Sequence, residues 1–131
     1  MFLNSKTGYR FTALYRFDGE TLCSLYFFDR ENPSQESIEN IPVSASYCAF
    51  VRNTDGTFSV SNSTDDGRLE HHPKRTVVRS YCGVPLHDKA GKVFGTICHF
   101  NFQPLPFSDT NINLMEAMAP LLKHEHSEAS G

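Results

Sequence analysis

The sequence predicts an α+β fold in which a central antiparallel sheet of about five to six strands carries helices on its faces. Residues 80–100 indicate two apolar strands joined by a polar turn that contains Gly91. Both faces of these strands are apolar, so this hairpin should lie in the middle of its sheet with cover on both sides. A second, aromatic hairpin over residues 9–28 and an apolar helical stripe after Ser108 support the same fold class.

The first element is the hairpin over residues 9–28. Asp18 and Gly19 suit a two-residue turn, because both residue types tolerate the positive backbone angles that it needs. With that turn, Phe17 would face Glu20. One face of the hairpin, which we expect to be buried, then collects Tyr9, Phe11, Ala13, Tyr15, Phe17, Leu22, Ser24, Tyr26 and Phe28.

The middle of the chain predicts a helix, a short strand and a basic loop. Apolar side chains recur at helical spacing over residues 44–53, with Ser44 or Ser46 as the N-cap. Residues 57–60 indicate a short strand, and residues 68–78 hold short helical turns.

The last element is a helix that begins near Ser108. Its apolar stripe includes Ile112, Met115, Met118 and Leu122. Pro120 should kink or shorten this helix, because proline removes a backbone donor and crowds the preceding turn. Residues 124–131 are predicted to be a flexible tail.

Composition limits the classes of function. The 131 residues form one domain, with its core at about residues 9–123, and the net charge of −3 argues against nucleic acid or anionic lipid as the main partner. No segment approaches the roughly 20 apolar residues of a membrane span, and the N-terminus lacks the features of a secretory signal. We therefore predict a cytoplasmic protein.

The cysteines and histidines indicate neither disulfides nor metal. The four cysteines are widely and irregularly spaced in apolar surroundings, which is typical of buried reduced thiols. The histidines and cysteines lack the close paired spacing of zinc ligands. The sequence therefore predicts no metal and no cofactor.

The order of elements resembles that of the GAF domain, a PAS-like small-molecule sensor module of signal transduction. The resemblance rests on RFTALYRFDGETL, ASYCAFV, SYCGVPL, GKVFGTICHFN and FSDTNINLMEAMAPLL, and it covers about residues 9–122. Two features depart from the family pattern. The chain before the first strand is too short for the long N-terminal helix of GAF domains, and the N-K-F-D-E motif of cyclic-nucleotide-binding members is absent.

The resemblance implies a ligand pocket between the sheet and the segments 44–53 and 68–78. We predict that it binds a small metabolite with an anionic group, because Arg68, His72 and Arg75 lie in the segment that forms the wall and lid in GAF domains. The alternative is a solvated basic loop paired with neighbouring acidic residues. The other predicted lining residues are Tyr47, Phe50, Tyr81, Thr96, Cys98 and Phe100.

Two other classes of function stay open at this point. GAF-fold enzymes that reduce free methionine sulfoxide group cysteines around the pocket, as Cys48, Cys82 and Cys98 could do here. If paired residue numbers in the central hairpin sum to 180, Cys82 and Cys98 face each other, whereas a sum of 179 puts them on opposite faces. The third class is a ligand-free interaction domain whose aromatic core fills the pocket. Of these, the sensor is preferred to the enzyme.

The apolar stripe of the last helix also predicts self-association. Without an N-terminal helix to cover the back of the sheet, part of this stripe would be exposed, and such patches mark interfaces. We therefore expect a homodimer through the terminal helices or the sheet backs. We expect a domain of this size either to act through a protein partner or to be a free-standing ligand-binding protein.

Overall fold

The computed structural model describes residues 4, 7–35, 39–106 and 109–130. Within them lies an antiparallel sheet of six strands in the order β3-β2-β1-β6-β5-β4. The strands are β1 (Phe11–Asp18), β2 (Thr21–Asp29), β3 (Ile41–Pro42), β4 (Phe58–Val60), β5 (Ser80–His87) and β6 (Val93–Asn101). Two α-helices accompany them, α1 (Cys48–Thr54) and α2 (Asp109–Ser130). The predicted α+β fold is confirmed.

The sheet separates two apolar cores. On its front face, Tyr81 and Cys98 pack with Val51 of α1, and on its back face Ile97 packs with Met115 of α2. All five side chains are buried. The hairpin of β5 and β6 is therefore covered on both sides, as its two apolar faces predicted.

The turn of the first hairpin differs from the predicted one by one position. Asp18 pairs with Thr21, so the turn residues are Gly19 and Glu20, with Gly19 at φ +58. The prediction that Phe17 faces Glu20 was wrong, because Asp18 remains in the strand and Gly19 takes the left-handed conformation that glycine adopts at no steric cost.

A β-bulge at Leu25 turns the side chains of β2 that follow it to the opposite face of the sheet. The pairing changes from Tyr15 with Ser24 to Leu14 with Tyr26, which leaves Leu25 unpaired. One extra residue moves every later side chain to the other face of the sheet. Phe27 is therefore buried in the front core, whereas Tyr26, which we expected there, is 39% exposed.

The helix predicted over residues 44–53 is divided into two parts. Val43–Ala45 form a 3-10 turn, and α1 begins at Cys48, whose backbone N–H donates to Ser46 Oγ at 3.1 Å. At the other end, Asp55 adopts a left-handed conformation and ends α1. This arrangement places Tyr47 and Cys48 over the front face of the sheet.

The terminal helix α2 continues through Pro120 to Ser130, so the prediction that Pro120 shortens it was wrong. A proline removes one backbone hydrogen bond, but Met115 and Ala119 hold this helix against the back of the sheet. Residues 124–130, predicted to be a flexible tail, belong to α2. The predicted N-cap Ser108, and the question of an N-terminal helix, lie outside the described residues.

A candidate ligand-binding site

A cavity of about 690 Å³ opens on the front face of the sheet. Its floor consists of side chains from the three central strands: Tyr15, Tyr81, Cys98 and Phe100. The walls come from residues 41–47 on one side and 74–78 on the other, with contributions from Gln35, Glu39 and Phe102. The cavity thus lies between the sheet and the two segments that the sequence indicated.

Gly83 shapes the floor of this cavity. A Cβ atom at Gly83 would lie 2.2 Å from the Tyr81 hydroxyl, so only glycine lets the Tyr81 ring lie over the strand. The hydroxyl then reaches Cys48 Sγ at 3.2 Å. Tyr47 closes the opposite side, because its hydroxyl donates to the Val78 carbonyl at 2.8 Å.

Four of the predicted pocket residues line the cavity: Tyr47, Tyr81, Cys98 and Phe100. Phe50 and Thr96 do not. Phe50 stacks on Phe58 of the front core with ring centroids 4.6 Å apart. Thr96 is fully buried, and its hydroxyl lies 3.2 Å from Cys48 Sγ.

The predicted basic residues do not line the cavity either. Arg68 pairs with Asp66 and donates to the Ser59 carbonyl at 2.8 Å. Arg75 donates to the Thr64 carbonyl at 2.7 Å. The His72 ring packs on Tyr47, with centroids 4.7 Å apart, and accepts the backbone N–H of residue 74. These three side chains hold the loop together beside the cavity.

The charged residues of the cavity wall are Lys74 and Glu39, among the lining residues that the structure describes. Both were missed as site residues from the sequence. Lys74 lies inside the basic run between His72 and Arg75, so its neighbours concealed it. Glu39 lies in a polar connection that gives no sequence signal of its own.

The floor of the cavity is uncharged near neutral pH. Burial raises the pKa of Tyr15, and the nearby thiols of Cys98 and Cys48 raise it further. Burial likewise raises the pKa of Tyr81 well above its ordinary value. Removing a phenolic proton there would create a charge with little solvent around it.

The strand register separates the cysteines. Gly83 pairs with Cys98, a register sum of 181 instead of the 180 or 179 considered above. Because 181 has the parity of 179, Cys98 faces the front core and Cys82 the back core. Burial, with the charge of Glu116, raises the pKa of Cys82 to about 12. Cys82 therefore cannot join a front-face thiol site.

Cys48 and Cys98 form a buried pair beneath the cavity. Burial by itself raises the pKa of Cys48, but hydrogen bonds from Cys98, Ser46, Thr96 and Tyr81 outweigh that effect and lower the pKa to about 7. Burial, followed by the hydrogen bond to Cys48, raises the pKa of Cys98 well above its ordinary value. When the pair ionises, Cys48 therefore loses its proton before Cys98 does.

Neither a metal-binding cluster nor a membrane-spanning helix occurs in the described part of the chain. No three His, Cys, Asp or Glu side chains there lie close enough together to hold a metal ion. None of the helices described has both the length and the apolar composition to cross a membrane.

Comparison with protein families gives one match that spans nearly the whole chain. The model of the GAF domain family matches residues 3–123. A search of curated protein sequences found no significant match.

Solved structures share the fold at low sequence identity. The GAF domain of the Acinetobacter phosphoenolpyruvate-protein phosphotransferase is 19% identical, with a TM-score of 0.74 over 98% of this chain and 79% of that one. The free methionine-R-sulfoxide reductase of Neisseria meningitidis, solved with its substrate, is 19% identical, with a TM-score of 0.73 over 98% and 75%. The type II free methionine-R-sulfoxide reductase of Thermoplasma acidophilum is 15% identical, with a TM-score of 0.71 over 93% and 82%. At these identities the likeness concerns the fold.

Proposed function

Because this chain belongs to the GAF domain family, we propose that it is a sensory or regulatory module that binds a small metabolite in its front-face cavity. The observation that carries the proposal is the cavity itself: about 690 Å³, with an aromatic floor and walls from two separate segments. Such concave and mainly apolar spaces with a few polar groups are typical of small-molecule sites. A fold alone does not fix a function, so the proposal rests on this site.

We propose Lys74 as the contact for an anionic group of the ligand. Arg68 pairs with Asp66 and the Ser59 carbonyl, and Arg75 donates to the Thr64 carbonyl, whereas Lys74 lines the cavity. The apolar body of the ligand would pack against Tyr81 and Phe100. Binding would order the segments on both sides of the cavity, and that change would pass to a protein partner or to a second copy of the chain.

A variant that fills the cavity tests this function. Ala45 is half-buried and lines the cavity, so Ala45→Trp should block it, whereas Ala90→Trp in the exposed β5–β6 turn serves as the control. In a thermal-shift screen of metabolic carboxylates, a ligand present at a hundred times its Kd stabilises a protein by about 2.7 kcal/mol. We expect at least one carboxylate to raise the Tm of the parent and of Ala90→Trp but not that of Ala45→Trp. A screen without such a hit would contradict the proposal.

A second candidate function is the reduction of a sulfoxide by Cys98 and Cys48. Both thiols lie buried in the front core beneath the cavity and Cys98 lines it, which favours this candidate. Cys98 would pass its proton to the Cys48 thiolate and attack the sulfoxide sulfur. The sulfoxide oxygen moves to Cys98 and takes up a proton from solvent, so Cys98 becomes a sulfenic acid and the sulfur leaves as a thioether. Cys48 would then form a disulfide with Cys98 and release water. An external dithiol would restore both thiols.

The test uses free methionine sulfoxide with dithiothreitol as the reductant, and chromatography to measure methionine. The redox candidate requires that Cys98→Ser abolish methionine formation. Cys48→Ser should slow it, because Cys48 takes the Cys98 proton and resolves the sulfenic acid. Cys82→Ser, which changes a buried thiol on the back face, should leave it unchanged. If the parent forms no methionine, or Cys98→Ser forms as much as the parent, this candidate is excluded and the sensor remains.

A further inference from the structure

The two charges on the cavity wall have opposite sign and come from separate parts of the chain. Glu39 precedes β3, and Lys74 lies in the loop before β5. Among the described lining residues these are the acidic and the basic side chain. Glu39 is exposed and Lys74 is half-buried, whereas Tyr15, Tyr81 and Cys98 of the floor are buried. The two charged residues therefore belong to the more solvent-exposed part of the lining, which we call the mouth of the cavity.

The deep part of the cavity offers aromatic surface instead of charge. The hydroxyl of Tyr47 already donates to the Val78 carbonyl, and the hydroxyl of Tyr81 lies against Cys48 Sγ. Phe100 adds a ring without polar atoms. A charged group placed there would lose its hydration without meeting an opposite charge among the described floor residues, which is unfavourable. The charged end of a ligand therefore belongs at the mouth and its apolar end at the floor.

We propose that the cavity binds a zwitterion with an apolar or aromatic body, of the α-amino-acid class. The carboxylate lies against Lys74, the ammonium group lies against Glu39, and the side chain packs on Tyr81 and Phe100. A ligand with an anionic group alone meets the like charge of Glu39, and an amine alone meets that of Lys74. This inference rests on the proposed function, because it names the ligand class for the same cavity.

Three probes that differ only in their charged groups test the proposal by calorimetry: L-phenylalanine, 3-phenylpropionate and phenethylamine. We expect L-phenylalanine to bind about tenfold more tightly than either singly charged analogue, the value of one charge-assisted contact near the surface. Lys74→Met should weaken L-phenylalanine and 3-phenylpropionate about tenfold and leave phenethylamine no weaker. Glu39→Gln should weaken L-phenylalanine and phenethylamine about tenfold and leave 3-phenylpropionate no weaker. Lys89→Met, in the exposed β5–β6 turn, is the matched control and should change none of the three.

Neutral indole separates failure of this inference from failure of the proposed function. Equal affinity for the three probes, or equal effects of Lys74→Met and Glu39→Gln on all of them, overturns the zwitterion. Binding of indole that Ala45→Trp blocks, without binding of L-phenylalanine, also overturns the zwitterion but leaves the proposed cavity function intact. If neither indole nor any charged probe binds, both proposals fail.

Discussion

Removing the Tyr81 hydroxyl should raise the pKa of Cys48. The hydroxyl lies 3.2 Å from Cys48 Sγ and is one of four groups whose hydrogen bonds lower that pKa to about 7. A hydrogen bond to a charged group contributes about 1.5–3 kcal/mol, which corresponds to about one to two pKa units. In Tyr81→Phe we therefore expect Cys48 to titrate near about 8 to 9.

The assay follows the 13Cβ chemical shift of labelled cysteine through a pH titration, which reports each thiol separately. Tyr47→Phe is the matched control, because it also removes a hydroxyl from the cavity wall, but that hydroxyl donates to the Val78 carbonyl. Its Cys48 should keep a pKa of about 7. An unchanged Cys48 pKa in Tyr81→Phe, or an equal rise in both variants, would refute the assignment of Tyr81 as a donor to the thiolate.

Three further predictions concern stability and assembly. A Cβ atom at Gly95 would lie 2.1 Å from the Tyr15 carbonyl oxygen, so Gly95→Ala should lower the free energy of unfolding by about 3 kcal/mol in urea titrations. Gly67 has open space around it, so the control Gly67→Ala should change this free energy by less than about 0.5 kcal/mol. Burial, and then the charge of an arginine, lower the pKa of His99 to about 4 from an ordinary 6.5. Between pH 6.5 and pH 4 the unfolded chain therefore binds a proton at His99 that the folded chain does not. The free energy of unfolding should be constant above pH 6.5 and fall by about 3 kcal/mol toward pH 4. A constant free energy across that window would contradict the buried neutral imidazole. Leu121 on α2 is 69% exposed. If the predicted homodimer uses this helix, sedimentation should show a dimer that Leu121→Glu converts to monomer. A monomeric parent at micromolar concentration would exclude this homodimer.

The sequence predicted the central hairpin correctly because apolar residues occupy both of its faces. One face of the hairpin carries Val84 and Ile97, and the other carries Tyr81 and Cys98. A strand with one exposed face would carry polar residues on that face, so apolar residues on both faces indicate burial on both. The bulge at Leu25 has no comparable sequence signal. The bulge depends on how β2 pairs with β1, so the prediction that Tyr26 lies on the buried face was wrong.

The charges of the candidate site were harder to predict than its aromatic floor. Strand parity groups Cys98 with Phe100 on β6, and the observed register of β5 and β6 places Tyr81 on the same face. A basic run, in contrast, shows how many charges a loop carries but not which of them find partners. Arg68 is bound by an aspartate two residues away and by a strand carbonyl, and only the folded loop leaves Lys74 at the cavity.

The central claim is that the front-face cavity takes up a small molecule, and methyl NMR tests it most directly. With labelled isoleucine, leucine and valine methyl groups, titration with indole and L-phenylalanine should shift Ile41 and Val78 at the cavity in a saturable way. Leu86 and Ile97 in the back core should stay unchanged, and Ala45→Trp should abolish the response. Cavity methyl groups that do not respond to either probe, or back-core groups that shift equally, would contradict the account.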